Sequence, residues 1–580
     1  MNELERAVSD LQRNREQWSA FTSAGNTVVL APPGSGKTQL LTARAASDLR
    51  MNRDGPRGAA CITMTNEAAL EMSRRLSLFG VQARPNLFIG TVHSFALSRI
   101  IGPFASAAGE HALARSTLAT DTEADRILSD LYLRMTSLKD EPFDNVKTKV
   151  NRVRQLMDLS GDTRLGEPQI ATLAKQFSVK LRSVDRYDFT ELIAWAVKLV
   201  ESHPWLRRIL SACFPLIYVD EYQDLAPGLD RIVRAITIDS RECPSQLFAV
   251  GDPDQSIYAF SGAHPELLHS LATNSRITTI KLKTNYRSGQ AVIDAAIRIL
   301  GKHRDIAGQS TGGSTHIHKA PGGVAQQSKT CVTLVQKALR SGTPPEEIAV
   351  LAPWNSDRQA AAEALRDAGV LCFSRAKRHW RSTPATVLVE QLAAWTLRPR
   401  EPRMALGQLI DKLAVITGTA VRHRTRVEVT RLLLTSTAET PVIDFLHGLK
   451  TALSEGGRSK RALDDGFLDM VETYSASGPL CDDTLNELAL LAHAPGHVLV
   501  ATIHASKGLE FDHVIIVGLD EQVLPGWDAD PMAWEEARRL FYVGITRARI
   551  IVDIVYTDSR WSNRKKICYP VKPSPLLCNL

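Results

Sequence analysis

No window of this sequence holds 18 apolar residues, so nothing in it predicts a membrane-spanning helix. The opening stretch, MNELERAVSD, is charged and lacks the apolar core of a secretory leader. Eight cysteines (Cys61, Cys213, Cys243, Cys331, Cys372, Cys481, Cys568 and Cys578) are scattered without a CxxC pair or a metal-ligand spacing. That excludes an iron–sulfur cluster or a zinc site and predicts free thiols in a reducing cytoplasm, with Cys213 buried in its apolar context. Internal repeats and low-complexity tracts are missing as well. The tail beyond Arg549 is too short to hold a nuclease domain, so any cutting would need a partner chain. What is there is ordinary globular material: 580 residues, 44% hydrophobic and 23% charged, enough for three or four domain-sized units. A net charge of +7 permits a polyanionic partner without requiring one.

The first chemistry lies in NTVVLAPPGSGKTQLLTARAASDL, which reads as strand, glycine-rich loop and helix. The loop, residues 31–38, meets the P-loop template GxxxxGK[ST] except at its first position, which is Ala31. The parts that phosphate binding needs are kept in Gly34, Ser35, Gly36, Lys37, Thr38 and Gln39. Gly34 and Gly36 let backbone N–H groups turn toward phosphate oxygens, and the following helix N-terminus adds partial positive charge. Lys37 can reach the β- and γ-phosphates of ATP, and the Thr38 hydroxyl suits Mg²⁺.

FPLIYVDEYQD (214–224) carries the second half of such a site. A β-leaning run ends on Asp220 and Glu221, and two adjacent carboxylates at a strand end call for a cation. Asp220 lies where a P-loop Mg²⁺ is expected, which leaves Glu221 to orient and deprotonate the attacking water. SQLFAVGDPDQSIYAFSGA (245–263) repeats the pattern, with Asp252, Asp254 and Gln255 after a strand and the aromatics Tyr258 and Phe260 beyond. Tyr286 and Arg287 precede a helix in TNYRSGQAVIDAA, and Arg547 follows one in EEARRLFYVGITRARIIVDIVY. Arg287 and Arg547 are candidates to complete an ATP site across a domain cleft, a role worth roughly 10³–10⁵ in rate.

In this order the stretches resemble the UvrD/Rep-like branch of superfamily 1 DNA helicases, from about Gln17 to Arg549. The resemblance implies an α/β fold: two RecA-like parallel-sheet motor domains, each with a mainly helical insertion. Core 1 would comprise 1–104 and 190–284 with insertion 105–189. Core 2 would comprise 285–375 and 496–580, the last including the tail, with a short insertion 376–495. In that family Gln17 reads adenine, Tyr286 stacks on it, Gln255 senses the γ-phosphate, Arg287 and Arg547 contact it, and Glu510 lies at ribose and phosphate. The DNA track would run through Asn66, Thr91, His93, Tyr258, Phe260 and His504.

Several positions depart from the family pattern: Met64, Glu67, Phe260, Ser261 and Pro353 each remove stacking area or positive charge from the presumed strand-binding face. The expected activity is ATP-dependent 3′–5′ movement on single-stranded DNA with duplex unwinding at ss/ds junctions, using ATP and Mg²⁺. The alternative is a DNA-stimulated ATPase subunit of a larger complex, in repair or with a partner nuclease in anti-phage defence. RNA remains open as a track. A basic cluster, Arg398, Arg400, Arg403, Lys412, Arg422, Arg424, Arg426 and Arg431, reads as a phosphate- or partner-binding face.

Overall fold

The computed structural model describes residues 2–51, 58–82, 86–135, 141–156, 168–240, 245–259, 262–374, 380–398, 405–417, 423–454, 464–492, 494–527, 529–562 and 566–580. Phe260, Ser261, Arg400, Arg403 and Arg422 lie outside these residues. The chain forms two compact units, one of Met1–Gly312 with Asp530–Val543, the other of Gly313–Ala529 with Gly544–Leu580.

The first unit is built on six parallel strands in the spatial order Leu87–Thr91, Ala59–Thr63, Leu216–Val219, Gln246–Gly251, Thr27–Leu30 and Thr278–Lys281. Its central strands are short apolar runs because helices cover both faces. Alternation sorts their residues between two cores. Val28, Ile62, Ile217 and Ala249 face one cluster, and Val29, Cys61, Tyr218 and Phe248 face the other. Each fully buried Val, Ile or Leu here contributes roughly 1.5–3 kcal/mol. Local signals set the helix starts: Asn14 caps Arg15–Thr22, and Thr65 caps Asn66–Leu78. The helices Asp121–Leu133, Phe143–Leu156 and Pro168–Ser183 gather around a separate core that includes Val146, Val150, Leu173 and Phe177.

The second unit has its own six parallel strands, ordered Ser314–Ala320, Ala548–Thr557, Phe511–Val517, Ile348–Ala352, Val498–Thr502 and Cys372–Ser374. Between Pro384 and Ala492 the described elements are helices, packed on a core of Leu388, Leu392, Phe445, Leu449 and Phe467 among others. Within the basic cluster, Arg426 lies 3.7 Å from Asp411 and Arg431 lies 3.5 Å from Glu428, both arginines exposed, and Lys412 donates to Gln391 at 3.2 Å. Among the described residues, no helix is long and apolar enough to cross a membrane.

One feature differs from the sequence-based expectation. Cys213 is exposed rather than buried: it is the last residue of helix Pro204–Cys213, past the turn that Leu206, Leu210 and Ser211 bury. Residues 285–312 pack within the first compact unit. Backbone bonds hold them there, with Tyr286 N donating to Gly34 O at 2.8 Å and Ala307 N to Lys283 O at 2.9 Å.

Candidate functional site

The glycine-rich loop joins strand Thr27–Leu30 to helix Lys37–Met51 at the carboxyl edge of the first sheet. Gly34 (φ +68°) and Gly36 (φ +77°) occupy the left-handed region that side chains disfavour. At Gly34 space is also denied, since a Cβ would meet Asn285 Oδ1 at 2.6 Å and the Arg287 Cβ at 2.7 Å. Asn285 Oδ1 in turn accepts from the backbone N–H groups of Arg287 and Ser288 at 2.7 and 2.8 Å. The Asn–Tyr–Arg segment is thereby folded directly against the loop. Gln17, buried, donates to Ser35 O at 2.8 Å, and Tyr286 Oη lies 3.5 Å from Gln17 Oε1. A groove of about 550 Å³ is lined by Gln17, Gly34, Gly36, Gln39 and Tyr286. Tyr286 is exposed (43%), leaving its ring free to meet a planar partner.

Strands Leu216–Val219 and Thr27–Leu30 flank strand Gln246–Gly251, so three carboxyl ends converge. Lys37 Nζ lies 2.7 Å from Glu221 Oε1 and 2.8 Å from Oε2. Thr38 donates its hydroxyl to Asp220 Oδ2 at 3.0 Å, and Asp220 Oδ1 accepts from Glu221 N at 2.9 Å. Glu221 adopts a left-handed backbone (φ 53°, ψ 45°), which costs a non-glycine residue roughly 1–2 kcal/mol. Burial and the neighbouring Glu221 charge push the Asp220 carboxyl up to about 6. Burial works to lower the Lys37 ammonium, but the charges of Glu221, Asp220 and Asp252 outweigh it and raise it. One lysine therefore faces several carboxylates. The hard oxygens of Thr38 and Asp220, together with this shortage of positive charge, fit a Mg²⁺ ion.

Gln255 donates to Asp252 Oδ2 at 2.9 Å. Asp252 is fully buried and meets Arg304 Nη1 at 2.9 Å, and the same guanidinium reaches Asp254 Oδ2 at 3.0 Å and Tyr542 Oη at 3.2 Å. In the second unit, Arg547 is only 2% exposed and donates to Leu509 O at 3.1 Å. Glu510 accepts from Arg549 Nη2 at 3.3 Å.

Of the residues expected to touch the strand, His93 and Tyr258 line one cavity of about 560 Å³ together with Met64, Phe189 and Arg154. Burial lowers the His93 imidazole to about 4, so it is neutral at physiological pH, and its ring meets Phe189 edge-on at 5.4 Å. Arg154 is fixed by Asp188, at 2.8 Å through Nη2, and by Ser178 at 2.9 Å. Thr91 caps helix Val92–Phe95, and Asn66 opens helix Asn66–Leu78. His504 lies in the second unit, in a turn at the end of strand Val498–Thr502.

Two family matches bear on this geometry. The UvrD/REP helicase N-terminal domain matches residues 13–275, and the UvrD-like helicase C-terminal domain matches residues 479–559. The chain belongs to the UvrD/Rep-like helicase family. Relatives of this helicase include the ATP-dependent DNA helicase UvrD2 of Mycobacterium tuberculosis, 26% identical over 94% of this chain and 79% of that protein. DNA helicase II of Haemophilus influenzae is 27% identical over 97% of this chain and 85% of its own. The ATP-dependent DNA helicase PcrA of Staphylococcus epidermidis is 24% identical over 94% and 83%. Membership in the family makes the chain an ATP-hydrolysing enzyme.

Four residues of this helicase site were not singled out from sequence. Asn285 and Gln223 stood inside quoted motifs, NYRS and VDEYQD, where their neighbours drew the attention. Phe189 is the last residue of the insertion expected over 105–189, a boundary with no chemistry attached to it. Arg304 left no sequence signal, since its partner Asp252 lies 52 positions away.

Proposed function

We propose that the protein is an ATP- and Mg²⁺-dependent DNA helicase that moves 3′ to 5′ along single-stranded DNA and opens duplex at ss/ds junctions. The observation that carries this reading is the convergence of Lys37, Thr38, Asp220 and Glu221 at one sheet edge. In this reading Lys37 leaves Glu221 for the β- and γ-phosphates, and the freed carboxylate holds and deprotonates the attacking water. Thr38 and Asp220 would hold Mg²⁺, which when bound offsets phosphate charge. Gln255 and Arg287 act at the γ-phosphate, and Gln17, Gln39 and Tyr286 at the base and the loop. Arg547 and Glu510 join the nucleotide ligands on family resemblance.

The two parallel sheets are proposed as the RecA-like cores, with the helical segments around 105–189 and 376–495 as their insertions. Asn66, Thr91, His93, Tyr258, Phe260 and His504 are proposed to hold the strand. The shared cavity of His93, Tyr258 and Phe189 supports this for the first unit, where aromatic rings stack bases at roughly 1–3 kcal/mol each. A soluble cytoplasmic location and a nuclease partner belong to the same proposal.

The test is steady-state ATP hydrolysis with and without single-stranded DNA, with Glu221→Gln as the blank. Strong stimulation that the blank lacks supports the motor, and strand displacement from 3′-tailed but not 5′-tailed duplex supports the polarity. Hydrolysis that ignores DNA, or persists in Glu221→Gln, overturns it.

A further inference from the structure

The Glu221 carboxylate has a second holder besides Lys37. Gln223, fully buried two residues along, donates through Nε2 to Glu221 Oε2 at 2.6 Å. Its other amide atom, Oε1, accepts from the backbone N–H of Asp252 at 3.0 Å. Its backbone carbonyl accepts from the Ser256 hydroxyl at 3.1 Å. One side-chain amide therefore spans from the acid on strand Leu216–Val219 to the turn after strand Gln246–Gly251, the turn that carries Gln255 and leads to Tyr258.

The surrounding backbone is shaped to admit this amide. A Cβ at Gly251 would meet Gln223 Oε1 at 2.5 Å, so only glycine leaves room for it. Glu221 is held in its left-handed conformation from both sides, with its N–H on Asp220 Oδ1 and its carbonyl accepting from Asp224 N at 3.0 Å. Rotation about the Glu221 side chain is then what remains to be set, and Lys37 cannot both set it and attend to a phosphate. Its amide has two tasks, to satisfy the buried Asp252 N–H and to donate to Glu221, and only the second concerns the acid. An apolar side chain of the same shape would fill the volume, and a buried amide is retained only where both of its ends are satisfied.

We propose that Gln223 is a positioning residue for ATP hydrolysis. It holds the Glu221 carboxylate in its working orientation once Lys37 has turned to the nucleotide, and it ties that orientation to the Asp252–Ser256 turn. No bond to the nucleotide is assigned to it. The inference rests on the reading of Glu221 as the hydrolytic base.

Gln223→Met keeps the volume and removes both hydrogen bonds, whereas Gln223→Glu keeps an acceptor for Asp252 N and sets a second carboxyl against Glu221, where only its protonated form can donate. Both are measured as full-length protein in DNA-stimulated ATPase assays. The expected result is a fall in kcat on the order of 10- to 100-fold, with KM for ATP within about twofold, the signature of a misplaced catalytic group. Measured against the residual single-turnover hydrolysis of Glu221→Gln, Gln223→Met should cost nothing further, because a residue that acts through Glu221 has nothing left to position.

An unchanged kcat in Gln223→Met overturns the inference. So does a rise in KM that accounts for the loss, or a full multiplicative loss in the Glu221→Gln background, either of which marks a structural role. If Gln223→Met does not fold, Gln223→Glu decides through its pH profile: kcat should fall relative to wild type as pH rises and the new carboxyl loses its proton, and a profile parallel to wild type overturns the inference. The two levels separate cleanly: activity surviving in Glu221→Gln removes the hydrolytic reading and this inference with it. A dead Glu221→Gln beside unaffected Gln223 variants removes the inference alone.

Discussion

Each of the two parallel sheets ends in a cation set against two carboxylates, and the two clusters are built for opposite purposes. In the first unit Lys37 meets Glu221 at 2.7 Å beside Asp220, with the lysine and Glu221 side chains 13% and 22% exposed. In the second, Arg560 meets Asp520 at 2.6 Å and Asp357 at 2.8 Å, with both carboxylates fully buried. Gln327 adds a further bond to Asp357 at 3.1 Å, and the Arg560 guanidinium lies 5.8 Å from the centre of the Trp354 ring. A lysine is a single charge on a flexible stem that can move to another anion, whereas a forked guanidinium on two buried carboxylates is locked. The exchangeable cluster lies beside a glycine-rich loop. The locked one ties strand ends and the segment Ser559–Ser562 together. Like composition at like places in two sheets therefore does not mean like function, and accessibility with replaceability of the cation tells them apart.

Substitutions can break that contrast. Lys37→Ala should lower ATP turnover on the order of 10³-fold, as expected for loss of a charge aimed at the transferring group, and phosphate release measures it. A rate within tenfold of wild type would take Lys37 out of the reaction. Arg560→Leu should instead lower stability by about 3–5 kcal/mol, because it strands two buried carboxylates, read from denaturant unfolding. Replacing Arg560, Asp357 and Asp520 together with apolar residues should recover much of that loss, and a triple variant as weak as the single one would contradict the account.

A smaller effect concerns His93. Burial holds its imidazole near 4 in the folded chain, below the value of about 6.5 expected when unfolded. The unfolded state therefore binds the proton first, and stability is lost as pH falls from 6.5 toward 4. Between pH 7 and pH 5 the loss should be about 1–2 kcal/mol, and His93→Gln should remove that part of the slope. The same slope in the variant would assign it elsewhere. Least of all, Tyr286→Ala should raise KM for ATP roughly tenfold through one lost stacking contact, with kcat nearly kept. An unchanged KM would leave that exposed ring without a role at the base.

The sequence made the fold class and the phosphate loop legible because both rest on local chemistry. Glycines at positive φ, a strand ending in acids, and apolar runs of strand length are written in contiguous residues. The parts that stayed hidden depend on distance along the chain. Arg304 cannot be paired with Asp252, nor Arg560 with Asp357, until the sheets bring their ends together. Nor does any local pattern show that Asn285 and Tyr286 fold back onto the loop at Gly34. The exposure of Cys213 is not written in its apolar neighbourhood, because a residue at the last position of a helix has no following turn to cover it.

The path of the chain has a consequence for how the protein is made. The first unit is left unfinished at Gly312 and completed only by Asp530–Val543, about 230 residues later. The ion pair of Lys302 with Glu535 and the bond from Arg304 to Tyr542 must wait for those residues. At roughly 5–20 residues per second of ribosomal synthesis, the wait lasts about 10 to 45 seconds. During that time the nascent sheet that carries the glycine-rich loop must persist without its closing helix, while a whole second unit begins to form from the intervening chain.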